Sequence, residues 1–258
     1  MDRTPERTFE TSRAVQVITS EEIQRLNPRG LADLLEEQTG VAVAETHSGG
    51  SASIRGLSGK QVMLLVDGVK VNNATWGGTT REYLNIVDIN QIERIEIVRG
   101  VVSVLGTESL GGVINIITKK GPPNGQTFGG SIAGRYASGD TSISTPIEVF
   151  GSNGPLRYQG GIARGAFGDI KGGGGVGVED FSAYHELSGH LNGQYLFSPE
   201  KTISFGYQNV RQSAVELPGV TGVFRNAEMM PRAMQLASLS YQDLTSRGWE
   251  DSLRVSAY

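Results

Sequence analysis

Two groups of residues in the second half of the sequence have spacings that resemble enzyme motifs. Gly172, Gly174 and Gly177 match the G-x-G-x-x-G spacing of a dinucleotide-binding loop, but no helix pattern follows them. The histidine–glutamate pair at 185–186, taken with His190, resembles the zinc motif H-E-x-x-H. Its two histidines are five residues apart in a strand-like segment, which places them on opposite faces. We therefore predict no catalytic residue, no metal site and no cofactor, and we do not expect an enzyme.

The composition narrows the class of protein further. The 258 residues include 36 glycines and no cysteine, which excludes thiol catalysis, cysteine-based zinc sites and disulfide scaffolds. A formal net charge of -4 argues against a nucleic-acid-binding protein. No apolar run approaches the length of a transmembrane helix, although membrane crossing by β-strands stays open. Residues 1–7 lack the apolar segment of a signal peptide, so the protein is either cytosolic or lacks that segment here.

A run of turn-forming residues at 121–125 separates two regions of different character. In the first region, Thr19 and Glu22 have the spacing of a capping box, which predicts a helix after Thr19. A second helix is predicted with Asn27 as its N-cap and Pro28 at its first position. Short strands are predicted at 41–44, 53–55, 62–66 and 69–71, and two apolar runs at 95–98 and 113–117 predict further strands.

The second region predicts β-strands of the length found in membrane barrels. In 186–197 the odd positions are apolar or glycine and the even positions from 186 to 194 are polar, and 128–136 alternates too, with Phe128, Ile132 and Tyr136 at even positions. Arg164 interrupts this alternation in a third segment. Aromatic residues near the predicted strand ends suggest an interfacial girdle: Tyr136, Phe150, Tyr195 and Phe197. A soluble β-sandwich would show the same alternation, so the pattern alone leaves both architectures open.

Four motifs in the first region carry a family resemblance. They are Ile54-Arg55-Gly56-Leu57, the run MLLVDGV at 63–69, the run IERIEIVRG at 92–100 and the run SLGGVINII at 109–117. In order and spacing they resemble the plug domain of TonB-dependent outer-membrane receptors. The resemblance implies an α+β plug domain at 8–121, followed by antiparallel transmembrane β-barrel strands.

The resemblance also implies a division of the chain. Residues 1–7 would be an N-terminal extension in which no TonB box is recognisable. Residues 122–258 would hold the first strands, about seven, of a barrel of about 22 strands, so we expect an incomplete barrel.

The implied function is active transport. Receptors of this family import a scarce nutrient, such as a ferric siderophore, haem or cobalamin, across the bacterial outer membrane when the TonB–ExbB–ExbD complex acts on the plug. The expected partners are that complex, outer-membrane lipid, and a metal chelate or haem, with no nucleic acid. The alternative is a soluble ligand-binding module whose second domain is a β-sandwich and which does no transport.

The resemblance also suggests site residues. Family arginines that match Arg55 and Arg99 pair with glutamates of the barrel wall, and Glu93, Arg94 and Glu96 add charges that could lock the plug in the barrel. The alternative for these charges is a solvated surface strand.

Two glycine-rich loops, 45–51 and 72–83, are predicted to face the substrate. His47 is a possible axial haem ligand, with an ordinary surface histidine as the alternative. The further substrate-contact candidates are Asn72, Asn73, Trp76, Arg81 and Tyr83.

Overall fold

A computed structural model describes most of the chain. The described residues are 15–46, 49–71, 84, 87–100, 110–122, 128–175, 177–180, 182–215, 232–243 and 251–257. The chain divides into two compact units, Met1–Lys119 and Lys120–Tyr258. No helix in the described part of the chain is long and apolar enough to span a membrane.

The N-terminal unit combines two small sheets with two short helices. Its elements are β1 (Val15–Thr19), α1 (Ser20–Leu26), α2 (Leu31–Glu36), β2 (Val41–Thr46), β3 (Gly49–Ile54), β4 (Leu57–Ser58), β5 (Val62–Val66), β6 (Val69–Lys70), β7 (Ile92–Arg99) and β8 (Gly112–Thr118). Single 3₁₀ turns at Gly59–Gln61 and Ile89–Gln91 precede β5 and β7. The main sheet has the order β1-β7-β8-β5-β6, and β2-β3-β4 form the second sheet.

Local capping sets the bounds of α1. The Thr19 hydroxyl accepts a hydrogen bond from the backbone N–H of Glu22 at 3.3 Å, as the capping-box spacing predicts. The prediction for Asn27 is wrong: it ends α1 in the left-handed conformation at φ 46°, and α2 begins after Gly30. Asparagine suits both positions, because its short side chain tolerates the left-handed region as well as capping a helix start.

The core of this unit lies around the central strands of the main sheet. β5 pairs in parallel with β8, and β7 pairs antiparallel with β8 on its other side. Every residue of β5 is buried, as expected for a parallel strand covered on both faces. One sheet face carries the apolar cluster Met63, Leu65, Val98 and Val113.

The C-terminal unit is an antiparallel meander. Its strands are β9 (Gly129–Ile132), β10 (Arg135–Ala137), β11 (Ser142–Asn153), β12 (Leu156–Phe167), β13 (Ile170–Gly172), β14 (Gly177–Glu179), β15 (Tyr184–Leu196), β16 (Lys201–Ser213), β17 (Arg232–Asp243) and β18 (Asp251–Ala257). The main sheet has the order β10-β11-β12-β15-β16-β17-β18, and β9 pairs with β11 beside β10. β13 and β14 form a separate hairpin.

Pro146 explains why β9 and β10 are two strands. Ile132 pairs with Ile147 and Arg135 pairs with Ser144, so both strands keep one register on β11. Between them, the backbone N–H of Ala133 donates to the carbonyl of Pro146 at 3.1 Å. Proline has no N–H to return that bond, so the ladder is interrupted at this point.

The sheet exposes its apolar side chains and buries its polar ones, which is the opposite of the arrangement in soluble β-proteins. In β15, Leu187 and Leu191 are 56% and 50% exposed. Ser188 and His190, on the opposite face, are buried, with only 2% and 6% of their surface exposed. A sandwich packs its apolar face inward, so this pattern does not fit a β-sandwich. We call the two sides the apolar face and the polar face. An exposed apolar face with a polar opposite face is the pattern of an outer-membrane barrel strand.

The strand register shows that the prediction for one aromatic residue of the girdle is wrong. Phe150 pairs with Gln159 and shares the polar face with Glu148 and Ser152, so it is not a girdle residue of the apolar face. Tyr195 and Phe197 lie as expected near a strand end, with their ring centroids 4.8 Å apart.

The connections differ between the two ends of the sheet. Residues 154–155 join β11 to β12, and 197–200 join β15 to β16. At the other end two connections are long, spanning 168–183 and 214–231, and one, 138–141 between β10 and β11, is short. Outer-membrane barrels show this asymmetry, with short periplasmic turns and long extracellular loops.

The motifs that resemble enzyme sites have ordinary structural roles. Gly172 and Gly177 pair across the β13–β14 hairpin, with Gly174 in its turn, and no helix follows. His185 lies exposed on the apolar face, whereas His190 is buried on the polar face. Within the described residues, no cluster of three potential ligands could hold a metal ion.

Candidate functional site

A β-bulge at the start of β7 brings three of the predicted charged residues together. Ile92 pairs with Thr118 but Arg94 pairs with Ile117, so Glu93 is the extra residue of the bulge. The Arg94 guanidinium contacts the Glu93 carboxylate at 3.3 Å and the Glu96 carboxylate at 3.0 Å. The Glu96 side chain is only 8% exposed, whereas that of Glu93 is 48% exposed. We call Glu93, Arg94 and Glu96 the β7 charge cluster.

Asn115 joins this cluster to the neighbouring strands. It pairs with Glu96 across the β7–β8 ladder and donates from Nδ2 to Glu96 Oε2 at 3.1 Å. Its Oδ1 accepts from the backbone N–H of Gly68 at 3.3 Å. The buried carboxylate therefore has a cation on one side and an amide donor on the other, which offsets much of its desolvation.

Asp67 fixes the β5–β6 turn beside this network. Its carboxylate accepts from the Thr118 hydroxyl at 2.7 Å and from the Thr118 backbone N–H at 3.0 Å. Asp67 adopts the left-handed conformation at φ 49°, followed by Gly68 at 74°, which fits the tight hairpin turn that an Asp-Gly pair between two strands favours.

Arg99 lies at the far end of β7 and forms its hydrogen bonds with other residues of the N-terminal unit. Its guanidinium donates to the Gln16 side chain and to the Thr39 carbonyl. Gln16 in turn donates to the buried Gln38 at 2.6 Å, and Gln38 donates to the Leu34 carbonyl at 3.0 Å. Arg99 thus connects β1 to the turn after α2.

Arg55 lies near the same end of β7. It occupies the β3–β4 turn at φ 54° and is exposed. A methyl group added to Gly100, the residue after Arg99, would lie 3.5 Å from the Arg55 guanidinium. Among the described residues, Arg55 has neither an ion pair nor a side-chain hydrogen bond.

The five predicted locking residues therefore occupy two places, not one. The β7 charge cluster lies at the start of β7, and Arg55 and Arg99 lie at its end. The substrate-contact candidates fall outside the described residues: His47, Asn72, Asn73, Trp76, Arg81 and Tyr83. Of the first predicted substrate loop, residues 45–46 and 49–51 belong to the paired strands β2 and β3.

Sequence patterns did not point to Asn115 or to the bonds of Asp67. A signal existed for Asn115, which is the polar residue in the apolar run 113–117, because a buried amide needs hydrogen-bond partners. The pairing of Gln16 with Arg99 had no such signal, since 83 residues separate the two in sequence.

Substitution of the two arginines should change the stability of the N-terminal unit by different amounts. Arg99→Met removes two hydrogen bonds, so we expect it to lower the free energy of unfolding of residues 1–119 by about 1 to 2 kcal/mol. Arg55→Met removes none within the described residues and is expected to change it by less than about 0.5 kcal/mol. Urea unfolding followed by circular dichroism measures both. If both substitutions lowered the free energy of unfolding equally little, the hydrogen bonds of Arg99 would not stabilise the unit.

Comparison with protein families gives a match in the N-terminal unit. Residues 7–113 match the family model described as the TonB-dependent receptor plug domain. The vitamin B12 transporter BtuB of Vibrio vulnificus strain CMCP6 is 33% identical over 159 residues, covering 60% of this chain and 25% of that protein. BtuB of strain YJ016 is 40% identical over 118 residues, covering 44% of this chain and 18% of that protein. The chain therefore spans at most about a quarter of the length of these relatives.

Solved structures share the fold at low sequence identity. A ferric enterobactin receptor (PfeA) mutant from Pseudomonas aeruginosa, in complex with enterobactin, gives a TM-score of 0.66 at 20% identity and covers 95% of this chain and 41% of that chain. The siderophore receptor PirA from Acinetobacter baumannii gives 0.69 at 21% identity, with 94% and 39% covered. These proteins are transporters and receptors, which supports the expectation that the chain is not an enzyme. The family match and the curated relatives show that residues 7–113 are similar to the plug domain of TonB-dependent receptors, and the solved structures share the fold of the chain.

Proposed function

We propose that the chain is the plug and the first part of the barrel of an active transporter in the bacterial outer membrane. On this proposal residues 8–121 are the plug, and 122–258 supply about the first seven strands of a barrel of about 22. The observation that carries the proposal is the presence, in one chain, of a plug domain and of a sheet with an exposed apolar face and a buried polar face. A plug has a role only where a barrel has a lumen to close.

The proposed substrate is a scarce, bulky nutrient of the cobalamin, ferric siderophore or haem class. The named relatives bind or transport cobalamin and enterobactin, which supports the first two classes. TonB, with ExbB and ExbD, would supply the energy for import by acting on the plug. Arg55 is the strongest candidate for a contact with the barrel wall, because it is exposed and without a charged partner in the described part of the chain.

The β7 charge cluster has a different role in this proposal. Arg94 is already held between Glu93 and Glu96, and Glu96 is buried. An ion pair already satisfied inside the plug gains little from a further partner, so the cluster keeps the plug sheet rigid while it is moved. The contact residues for the substrate remain His47, Asn72, Asn73, Trp76, Arg81 and Tyr83.

Uptake by whole cells tests the proposal. The full-length receptor is expressed in a strain that lacks its own cobalamin, siderophore and haem receptors, and uptake of labelled cobalamin, ferric enterobactin and haem is measured. We expect uptake of one substrate in cells with TonB and none in cells without it. Binding without TonB-dependent uptake of any substrate would contradict transport. If haem is the substrate, His47→Ala should abolish the low-spin Soret band of the haem-bound receptor.

A further inference from the structure

Two arginines lie at one level on the apolar face of the C-terminal sheet. Arg164 of β12 pairs with Leu187 of β15, and Leu187 pairs on its other side with Arg211 of β16. Three residues in one cross-strand row point to the same face, so both guanidinium groups flank Leu187 there. Their backbones are two strand spacings apart, roughly 10 Å. Both side chains are exposed.

Neither arginine has a charged partner in the part of the chain that the structure describes. Among the described residues, neither Arg164 nor Arg211 forms an ion pair or a side-chain hydrogen bond. In the described side chains of β9–β12 and β15–β17, the apolar face carries a single carboxylate, Asp243. Asp243 lies at the opposite end of the sheet, where it pairs with Lys201 at 3.2 Å. Among these described side chains, positive charge is therefore uncompensated at one end of the face and neutralised at the other.

The surroundings of the two arginines are those of a lipid boundary. Both lie near the ends of their strands, next to the long connections 168–183 and 214–231. His185 occupies the next position on the same face toward those connections, between Ala166 and Ser213. In the other direction Ile162 and Leu191 are exposed on the same face at 60% and 50%, with the half-buried Asn209 in the row of Ile162. Cations thus border a surface suited to acyl chains.

From this arrangement we propose that Arg164 and Arg211 bind the phosphate groups of an acidic lipid whose acyl chains lie on the apolar face below them. Guanidinium groups pair with phosphate through charge-assisted, bidentate hydrogen bonds. The apolar face gives the acyl chains of the same molecule a surface, which a free phosphate ion could not use. The inference rests on the proposed outer-membrane location, and it assigns the lipid to the leaflet at the end with the long connections.

Lipid retention by the purified receptor tests this inference. The full-length receptor in a neutral detergent is incubated with lipid A that carries its two phosphates, and bound lipid is counted by native mass spectrometry. Arg164→Gln and Arg211→Gln should each reduce lipid affinity about fivefold, and the double variant should reduce it further. Lipid A from which the phosphates have been removed should bind the wild type as weakly as the double variant binds the intact lipid.

Matched variants separate the site from a general charge effect. Arg157→Gln removes an arginine from the same strand, but Arg157 pairs with Gln194 on the polar face, so lipid binding should stay at the wild-type level. Arg164→Lys keeps the charge but loses the bidentate geometry, so it should bind the lipid more weakly than the wild type and more tightly than Arg164→Gln. Equal retention of intact lipid A by the double variant and the wild type would overturn the inference, as would displacement of the lipid by inorganic phosphate at equal concentration.

The outcome is independent of transport. A receptor that is absent from the outer-membrane fraction would refute the proposed function. A receptor that inserts and imports substrate, yet retains lipid equally well without the two arginines, would refute only the lipid site.

Discussion

Gly112→Ala is expected to lower the free energy of unfolding of the N-terminal unit by about 3 to 5 kcal/mol, since backbone strain and overpacking combine. Gly112 begins β8 at φ +150°, a backbone conformation that residues with a side chain rarely adopt. A Cβ atom there would collide with the carbonyl oxygen of Val98 and would lie 3.1 Å from Ile54 Cδ1. Gly112 pairs with both Arg99 and Val62, so the backbone cannot move without disturbing two strand pairings.

Gly56→Ala is the matched control for this prediction. Gly56 also has a positive φ, at +78°, but a Cβ atom there would meet nothing within 4 Å. We expect a loss of about 1 kcal/mol, from backbone conformation alone. Urea midpoints of residues 1–119, followed by circular dichroism, measure both variants. Equal shifts would show that the close packing around Gly112 does not matter.

Glu96→Ala is expected to destabilise the same unit by about 2 to 3 kcal/mol. The substitution removes a buried carboxylate that accepts hydrogen bonds from Arg94 at 3.0 Å and from Asn115 at 3.1 Å. Asn115 is 5% exposed, so its amide loses its acceptor where water has little access. The larger part of the effect is therefore the penalty on the donors that remain buried.

Glu93→Ala tests whether burial is the cause. Glu93 contacts the same Arg94 guanidinium at 3.3 Å, but its side chain is 48% exposed. Solvent screens such a pair, so we expect a loss of no more than about 0.5 kcal/mol. Thermal and urea unfolding of both variants provide the measurement. If Glu93→Ala were as damaging as Glu96→Ala, the charge of the pair and not its burial would determine stability.

Features that depend on residues close together in the chain were predictable from the sequence by itself. Alternation in 186–197 predicted which residues of β15 share a face, because successive side chains of a strand point in opposite directions. The Thr19 cap and the Asp67–Gly68 turn were predictable for a similar reason, since their interactions join residues within three positions. The four motifs were sufficient to predict the match of residues 7–113 to the plug domain.

Only the tertiary structure decided which distant groups meet. The Glu93 bulge shifts the register of β7, so the partners of Arg94 and Glu96 could not be obtained by counting along the chain. Asn115 reaches Glu96 across a strand pairing, and Arg99 reaches Gln16 over 83 residues. These contacts depend on the order β1-β7-β8-β5-β6. Sequence periodicity therefore determined the faces of each strand, while strand order and register determined the contacts, because hydrogen bonds between strands join residues that share no local pattern.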